Sequence, residues 1–153
     1  IDLATDENLT KAKELSSAVF CIDEFIANEF AAGKIATSLF TNEKRHIKLH
    51  GHCQQKALST ITSTSSALSI PQNYTVEIIP SGCCGMAGSF GYEKEHYDIS
   101  MQIGELVLFP AIRTAAPETI IAAPGTSCRH QIKDGTSVKA KHPVEILWVA
   151  IEK

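Results

Sequence analysis

Thr119-Ile120-Ile121-Ala122-Ala123-Pro124-Gly125-Thr126-Ser127-Cys128 is the stretch on which the fold turns. Residues suited to a pleated strand run into a Pro-Gly turn, and the chain leaves that turn through small polar residues that open a helix and carry a cysteine. The same order recurs twice upstream. His46-Ile47-Lys48-Leu49-His50 leads into Gly51-His52-Cys53, and Thr75-Val76-Glu77-Ile78-Ile79 leads into Pro80-Ser81-Gly82-Cys83-Cys84-Gly85. A fourth strand-like segment, Val138 to Lys141, leads into His142.

Helical sequence separates these segments. Leu15, Ala18, Val19, Ile22, Phe25, Ile26 and Phe30 recur at three and four, which predicts one amphipathic helix ending near Gly33. Ala57, Leu58, Ile61 and Leu68 predict a helix over Gln54 to Leu68, although its Ser and Thr content lowers the propensity. Ile99, Ile103, Leu106 and Val107 form one face of a helix from Asp98, read as its N-cap, to Arg113, with Pro110 interrupting the last turns. Pro143 opens a last helix with Val144, Leu147, Trp148 and Ile151 on one side. Strands alternating with crossovers of this length imply an α/β fold. The expectation is three layers, Rossmann-like, with a mostly parallel sheet of about four strands and helices on both faces.

Composition narrows the function. The chain has 153 residues, is 44% hydrophobic and 20% charged, and carries a formal net charge of -3. That describes a folded domain with a real core and no polycation for phosphates, so nucleic acid is a poor partner. No apolar run approaches the roughly 20 residues needed to span a bilayer, and the start has no secretory pattern, so a cytoplasmic location is expected. The chain begins Ile1-Asp2-Leu3 without methionine, which reads as a fragment of something longer. Its five cysteines are an odd number, expected to be reduced thiols rather than a disulfide framework.

In parallel sheets ligands gather beyond the carboxyl ends of the strands. Cys53, Cys83, Cys84 and Cys128 each follow a strand and should therefore converge on one edge, next to helix starts that favour thiolate. Soft sulfur ligands select zinc, copper or iron-sulfur clusters, and Gly82, Gly85, Gly88 and Gly91 permit the positive φ angles that a loop around such a group needs. A lone cysteine reads as a small buried hydrophobe, and Cys21 is placed on the inner side of the first helix. A vicinal disulfide between Cys83 and Cys84 ranks below metal ligation because it distorts the peptide. His50, His52, His130 and His142 all lie near the proposed crevice. His142, His52 and His130 are carried as further candidate ligands, although packing or support of a ligand is the commoner role for any one histidine. His46 opens a strand, and His96 sits with Glu93 and Glu95 in a charged loop that reads as solvated.

Cys53, then Cys83-Cys84-Gly85, then Cys128 resembles the cysteine-rich CCG domain found in the iron-sulfur subunits of glycolate oxidase and of anaerobic glycerol-3-phosphate dehydrogenase, and in heterodisulfide reductase. His50-Gly51-His52-Cys53, the run from Gly82 through Tyr97, and Thr126 through Ile132 are similar to the C-terminal end of long bacterial fusions. Those join a flavin-binding D-2-hydroxyacid (D-lactate type) dehydrogenase to a ferredoxin-like segment and a CCG region. The resemblance covers roughly residues 40 to 153, so residues 1–40 are expected to be a helical lead-in and residues 41–153 the cysteine-rich domain. It implies an iron-sulfur cluster, 4Fe-4S or otherwise, on Cys53, Cys83, Cys84 and Cys128. It also implies electron transfer to an acceptor within an FAD-linked oxidoreductase whose flavin is bound by another part of the protein. One departure bears on this. The fullest family motif ends in Cys-x-x-Cys and supplies five cysteines to a noncubane cluster, whereas here Gly125 stands at the first of that pair. Four thiolates still suffice for a four-iron cluster or a tetrahedral zinc.

Two other readings compete. One is a zinc-bearing or metal-free structural module that docks a redox partner. The other is a thiol-based redox enzyme using Cys83 or Cys84 as nucleophile, for which no residue spacing makes a demand. No Gly-x-Gly-x-x-Gly fingerprint is present in the chain, so dinucleotide binding is not expected here.

Overall fold

Ile47 and Leu49 project from one face of the first strand into a fully buried apolar cluster, and the sheet is built outward from that strand. The computed structural model describes residues 5–152, so the outermost residues of the expected lead-in and of the expected cysteine-rich domain lie outside the described residues. Strand β1 (Arg45–Leu49) lies in the centre, with β2 (Tyr74–Ile78) on one side and β3 (Ile120–Ala122) on the other, both parallel to it. The register runs from Arg45 opposite Tyr74 to Leu49 opposite Ile78, and from Ile47 opposite Ile120 to Leu49 opposite Ala122. The fold is α/β with a three-stranded parallel sheet. All three strands therefore end at one edge.

Side chains alternate across a strand, and β3 shows it directly. Ala122 belongs to the cluster with Ile47 and Leu49, while its neighbours Ile121 and Ala123 belong to a second cluster on the opposite face. The first cluster is closed by α2 (Ile22–Ala31), α4 (Ile61–Leu68) and α8 (Pro143–Ala150). The second is closed by α6 (Leu108–Arg113) and α7 (Thr126–Thr136), with Met101 of α5 (Tyr97–Leu106) packed against it. Two further helices are α1 (Asp6–Ala18) and α3 (Cys53–Leu58).

The structure differs from the sequence reading at several joints. The expected first helix is two, because Val19 and Cys21 take extended backbone angles between α1 and α2; Gly33, in the left-handed region at φ 73°, does end the second. The expected helix over Gln54 to Leu68 is also two, broken at Ser59 and Thr60, where the Thr60 hydroxyl accepts the Thr62 N–H as a cap. His96, not Asp98, is the N-cap of α5, and Asp98 falls in the first turn, where its charge still favours the helix N-terminus. The helix carrying Pro110 breaks at Val107 (φ -144°), three residues ahead of the proline. A proline ring clashes with the carbonyl four residues back, so restarting at Leu108 puts Pro110 in a first turn, where its missing N–H costs nothing. The fourth strand reduces to a single parallel bridge between Lys141 and Ala122, with backbone bonds from Ala123 to Lys141 and from Lys141 to Ile121. Ser137 turns through φ 63° just before it and His142 caps α8 just after, leaving too few residues for a ladder. Finally, α8 buries Pro143, Ile146, Leu147 and Ala150, whereas Trp148 and Ile151 of the expected face are exposed.

One polar contact ties the helices of the first face together. The Asp23 carboxylate on α2 is buried and accepts hydrogen bonds from the Thr64 hydroxyl on α4 and from the Gln55 amide on α3 at 2.9 Å. Gln55 also donates to Thr64 at 2.6 Å. A buried carboxylate that loses a donor bears the full desolvation penalty. Thr64→Val, which keeps the shape and removes the hydroxyl, is expected to lower stability by about 1–3 kcal/mol in urea unfolding. An unchanged midpoint would show that α2 is not held through this contact.

Candidate metal centre

Each strand end hands the chain to a loop or helix start that carries sulfur. Beyond β1, His52 is the N-cap of α3 and Cys53 its first residue. Beyond β2, Ile79 is buried, and the loop then runs Ser81 to Gly88 with Cys83 half-buried and Cys84 buried. Beyond β3, Gly125 is the N-cap of α7 and Cys128 lies in its first turn. Cys53, Cys83, Cys84 and Cys128 line one cavity of about 400 Å³ together with His52, Gln54, Ala87, Gly88 and Ser127. All four are free thiols.

The loop after β2 is fixed from several directions. Gly85 sits at φ 102°, and a Cβ there would lie 2.1 Å from the Ser100 carbonyl oxygen, so only glycine fits. Gly88 and Ala87 also have positive φ, whereas Gly82 and Gly91 do not. Lys56 on α3 donates to the carbonyls of Ser81 at 2.8 Å and Gly82 at 3.1 Å, which joins the loop to the helix bearing Cys53. The Gly85 N–H donates to Cys83 Sγ at 3.3 Å. On the opposite wall, Arg129 holds the carbonyls of Ala123 at 3.0 Å and Pro124 at 2.7 Å, which fixes the turn leading to Cys128.

The four sulfurs are not equivalent. Cys84 and Cys128 are only 2% and 1% exposed, and their sulfurs stand 3.3 Å apart. The Cys84 pKa is lowered to about 4, first by the hydrogen bond between its sulfur and that of Cys128 and, against desolvation by burial, by the His50 imidazole and the Met86 backbone N–H. Cys128 is correspondingly raised, first by that hydrogen bond to Cys84 and then by burial. Cys53 is exposed and raised by the burial of its sulfur and by its hydrogen bond to Cys83.

Histidines divide differently from the sequence reading. His50, one residue past β1, is fully buried, and its Nδ1 lies 2.7 Å from the Ser81 hydroxyl. Its Nε2 is buried without a hydrogen-bond partner. His50, Cys84 and Cys128 present three donor atoms all within 4.8 Å of one another, a group that could hold a metal ion. Alternation along β1 could have found His50: Ile47 and Leu49 point to one face, so Lys48 and His50 point to the other, where Cys84 and Cys128 lie. His52 does line the cysteine cavity. His130 is exposed, with Nδ1 2.7 Å from the Tyr92 hydroxyl, and does not line that cavity. His142 lines a neighbouring cavity of about 490 Å³ instead, and its Nδ1 accepts the Val144 N–H at 3.2 Å as a helix cap. Burial, followed by the Arg129 charge, lowers its pKa. Cys21 is exposed at the N-cap of α2 and lines that same neighbouring cavity, contrary to the buried position expected; the break before α2 turns it outward. Gly125 lines the neighbouring cavity, and a Cβ there would lie 2.3 Å from His52 Cδ2 and 3.0 Å from Cys128 Sγ. His52 thus occupies the space a side chain at 125 would enter.

No protein-family model matches the chain, and no solved structure matches it significantly. Among curated proteins, it is similar to D-2-hydroxyglutarate dehydrogenase of Escherichia coli strain K12, 31% identical over 129 residues, which is 83% of this chain and 13% of that protein. It is similar to a subunit of the anaerobic glycerol-3-phosphate dehydrogenase of the same strain, 29% identical over 102 residues, 67% of this chain and 25% of that protein. It is also 39% identical over 66 residues to D-2-hydroxyglutarate dehydrogenase of Haemophilus influenzae, 43% of this chain and 6% of that protein. The chain therefore spans a quarter or less of the length of these relatives, all of which are oxidoreductases by name.

Proposed function

We propose that the chain is an electron-transfer module of a larger flavin-linked oxidoreductase that oxidises a 2-hydroxy acid, with Cys53, Cys83, Cys84 and Cys128 holding an iron-sulfur cluster. Residues 41–153 form the cysteine-rich module and residues 1–40 lead into it. The observation that carries this reading is the gathering of four thiols from three distant segments around one cavity at the carboxyl edge of the sheet. The donor set fits the group: two buried sulfurs 3.3 Å apart, with the Cys84 pKa lowered, and a buried imidazole nitrogen without a partner beside them. When bound, a cluster supplies reversible one-electron chemistry without needing substrate to enter the cavity. The chain's own residues exclude water from Cys84 and Cys128, hold the Ser81–Gly82 carbonyls through Lys56, and position Cys83 through the Gly85 N–H. The flavin, the substrate site and the electron acceptor belong to the rest of the parent protein and its partners. The similarity to two dehydrogenases, each over a small part of its length, supports that division.

A second reading has its own observation. His50, Cys84 and Cys128 lie within 4.8 Å of one another, close to the spacing of about 3.8 Å between thiolates that share one tetrahedral zinc. Under this reading the module is a zinc-bearing docking domain. Burial of Cys84, 2% exposed, disfavours it as the nucleophile of a thiol enzyme.

Metal analysis after anaerobic purification separates the first two readings: iron with acid-labile sulfide supports the cluster, and zinc alone supports the docking domain. In the parent protein, Cys83→Ser or Cys84→Ser is expected to abolish electron delivery to the acceptor while flavin reduction by substrate continues; unchanged turnover with the acceptor would refute the proposal. Metal uptake must also displace the proton that Cys128 retains. Its raised pKa keeps that thiol protonated through neutral pH, so each proton displaced on binding should make apparent metal affinity rise about tenfold per pH unit. An affinity flat between pH 6 and 8 would contradict the shared-proton pair.

A further inference from the structure

We infer that His50 is itself a ligand of the buried end of the site through Nε2, and that Ser81 is the residue that positions it. This rests on the proposed function insofar as the cavity takes a metal at all, and it changes what the donor set is: imidazole with thiolates in place of sulfur alone.

The imidazole is 0% exposed, and its Nε2 has neither protein partner nor access to water. A buried nitrogen in that state costs roughly 1–3 kcal/mol, and such atoms in native structures call for an explanation. A ring nitrogen of His50 and the buried sulfurs of Cys84 and Cys128 form a group of donor atoms all within 4.8 Å of one another. A metal ion held by that group gives the nitrogen the partner it lacks and takes both sulfurs as ligands.

Orientation supports the assignment. The other ring nitrogen, Nδ1, is 2.7 Å from the Ser81 Oγ, and Ser81 is itself buried at 5% exposure with its carbonyl held by Lys56. When Nδ1–H donates to this hydroxyl, the remaining lone pair is fixed on Nε2, which is the arrangement metal-bound histidines show. The ring is set from its other side by the backbone: the His50 N–H donates to the Ala122 carbonyl at 2.9 Å, extending the β1–β3 pairing by one residue. The His50 backbone and one ring nitrogen are thus tied to the scaffold before any ion arrives. His52 lines the more open part of the cavity at the N-cap of α3 and is not part of the close group of three.

X-ray absorption of the zinc-loaded full chain, prepared anaerobically, tests the assignment without a substitution. The expected first shell contains one imidazole nitrogen together with sulfur, and the imidazole signature persists in His52→Ala and disappears in His50→Ala. In Co²⁺ titrations His50→Ala is expected to bind about a hundredfold or more weakly and Ser81→Ala about tenfold more weakly, with Ser81→Thr restoring the affinity. Far-UV circular dichroism of each variant checks that it is folded. A shell of sulfur alone in the wild-type chain, or an imidazole signature that vanishes with His52 instead, would overturn the ligand assignment and leave the proposed function standing. A wild-type chain that takes up neither Zn²⁺ nor Co²⁺ would overturn the ligand assignment, and one that after anaerobic purification holds no iron, acid-labile sulfide or zinc would overturn the proposed function as well. Ser81→Ala binding as tightly as wild type would remove Ser81 from the account.

Discussion

The parallel pairing of β1 with β2 and β3 is the constraint on which the rest depends. Parallel strands send all their carboxyl ends to one edge, so whatever follows each strand in sequence is brought together in space whatever the chain does between them. Three segments that follow strands carry cysteine here, and all four of those cysteines face one cavity. An antiparallel β1–β2 pair would have placed Cys53 and the Cys83–Cys84 loop at opposite ends of the sheet. Burial of Ile47 and Leu49 on one face of β1, and of Ile121 and Ala123 on the opposite face of β3, makes this pairing costly to slip.

On that edge the packing sorts the donors by depth. Cys84 and Cys128 are drawn into the second apolar cluster with Phe109 and Ile132, and His50 faces the same side because strand alternation puts it there. Cys53 stands at the exposed end and Cys83 between. The buried end is pre-set by Gly85 against Ser100 and by Ser81 on His50, while the outer end is set by a six-residue helix and one lysine. A site built this way holds its deep donors rigidly and leaves its outer sulfurs nearer to solvent, where an electron partner would approach.

Much of the architecture is legible in the residues, and the failures have physical causes. Three strands are readable because branched runs end in Pro-Gly, Gly-His or Pro-Ser-Gly turns. The fourth is not a strand because an αL turn at Ser137 and the His142 cap leave it only one bridge, a limit that propensity cannot register. Periodicity joins helices that the backbone separates at Val19–Cys21, at Ser59–Thr60 and at Val107, since apolar spacing registers neither a break in the backbone nor the exposure of residues such as Leu15 and Leu58. The convergence of cysteines follows from topology alone. Adjacency to a strand end favours His142, His52 and His130 over His50, because it takes no account of which face each side chain occupies. Cys21 reads as inward only along a continuous helix, and α1 ends three residues before it.

The account stands on four thiols forming one metal-binding set that excludes the fifth. Mass spectrometry of cysteine alkylation under anaerobic conditions, before and after metal loading of the full chain, measures this directly. The account predicts that metal protects Cys53, Cys83, Cys84 and Cys128 together at the same metal concentration while Cys21 stays fully labelled. Protection of Cys84 and Cys128 without Cys53 and Cys83, or protection extending to Cys21, would contradict it.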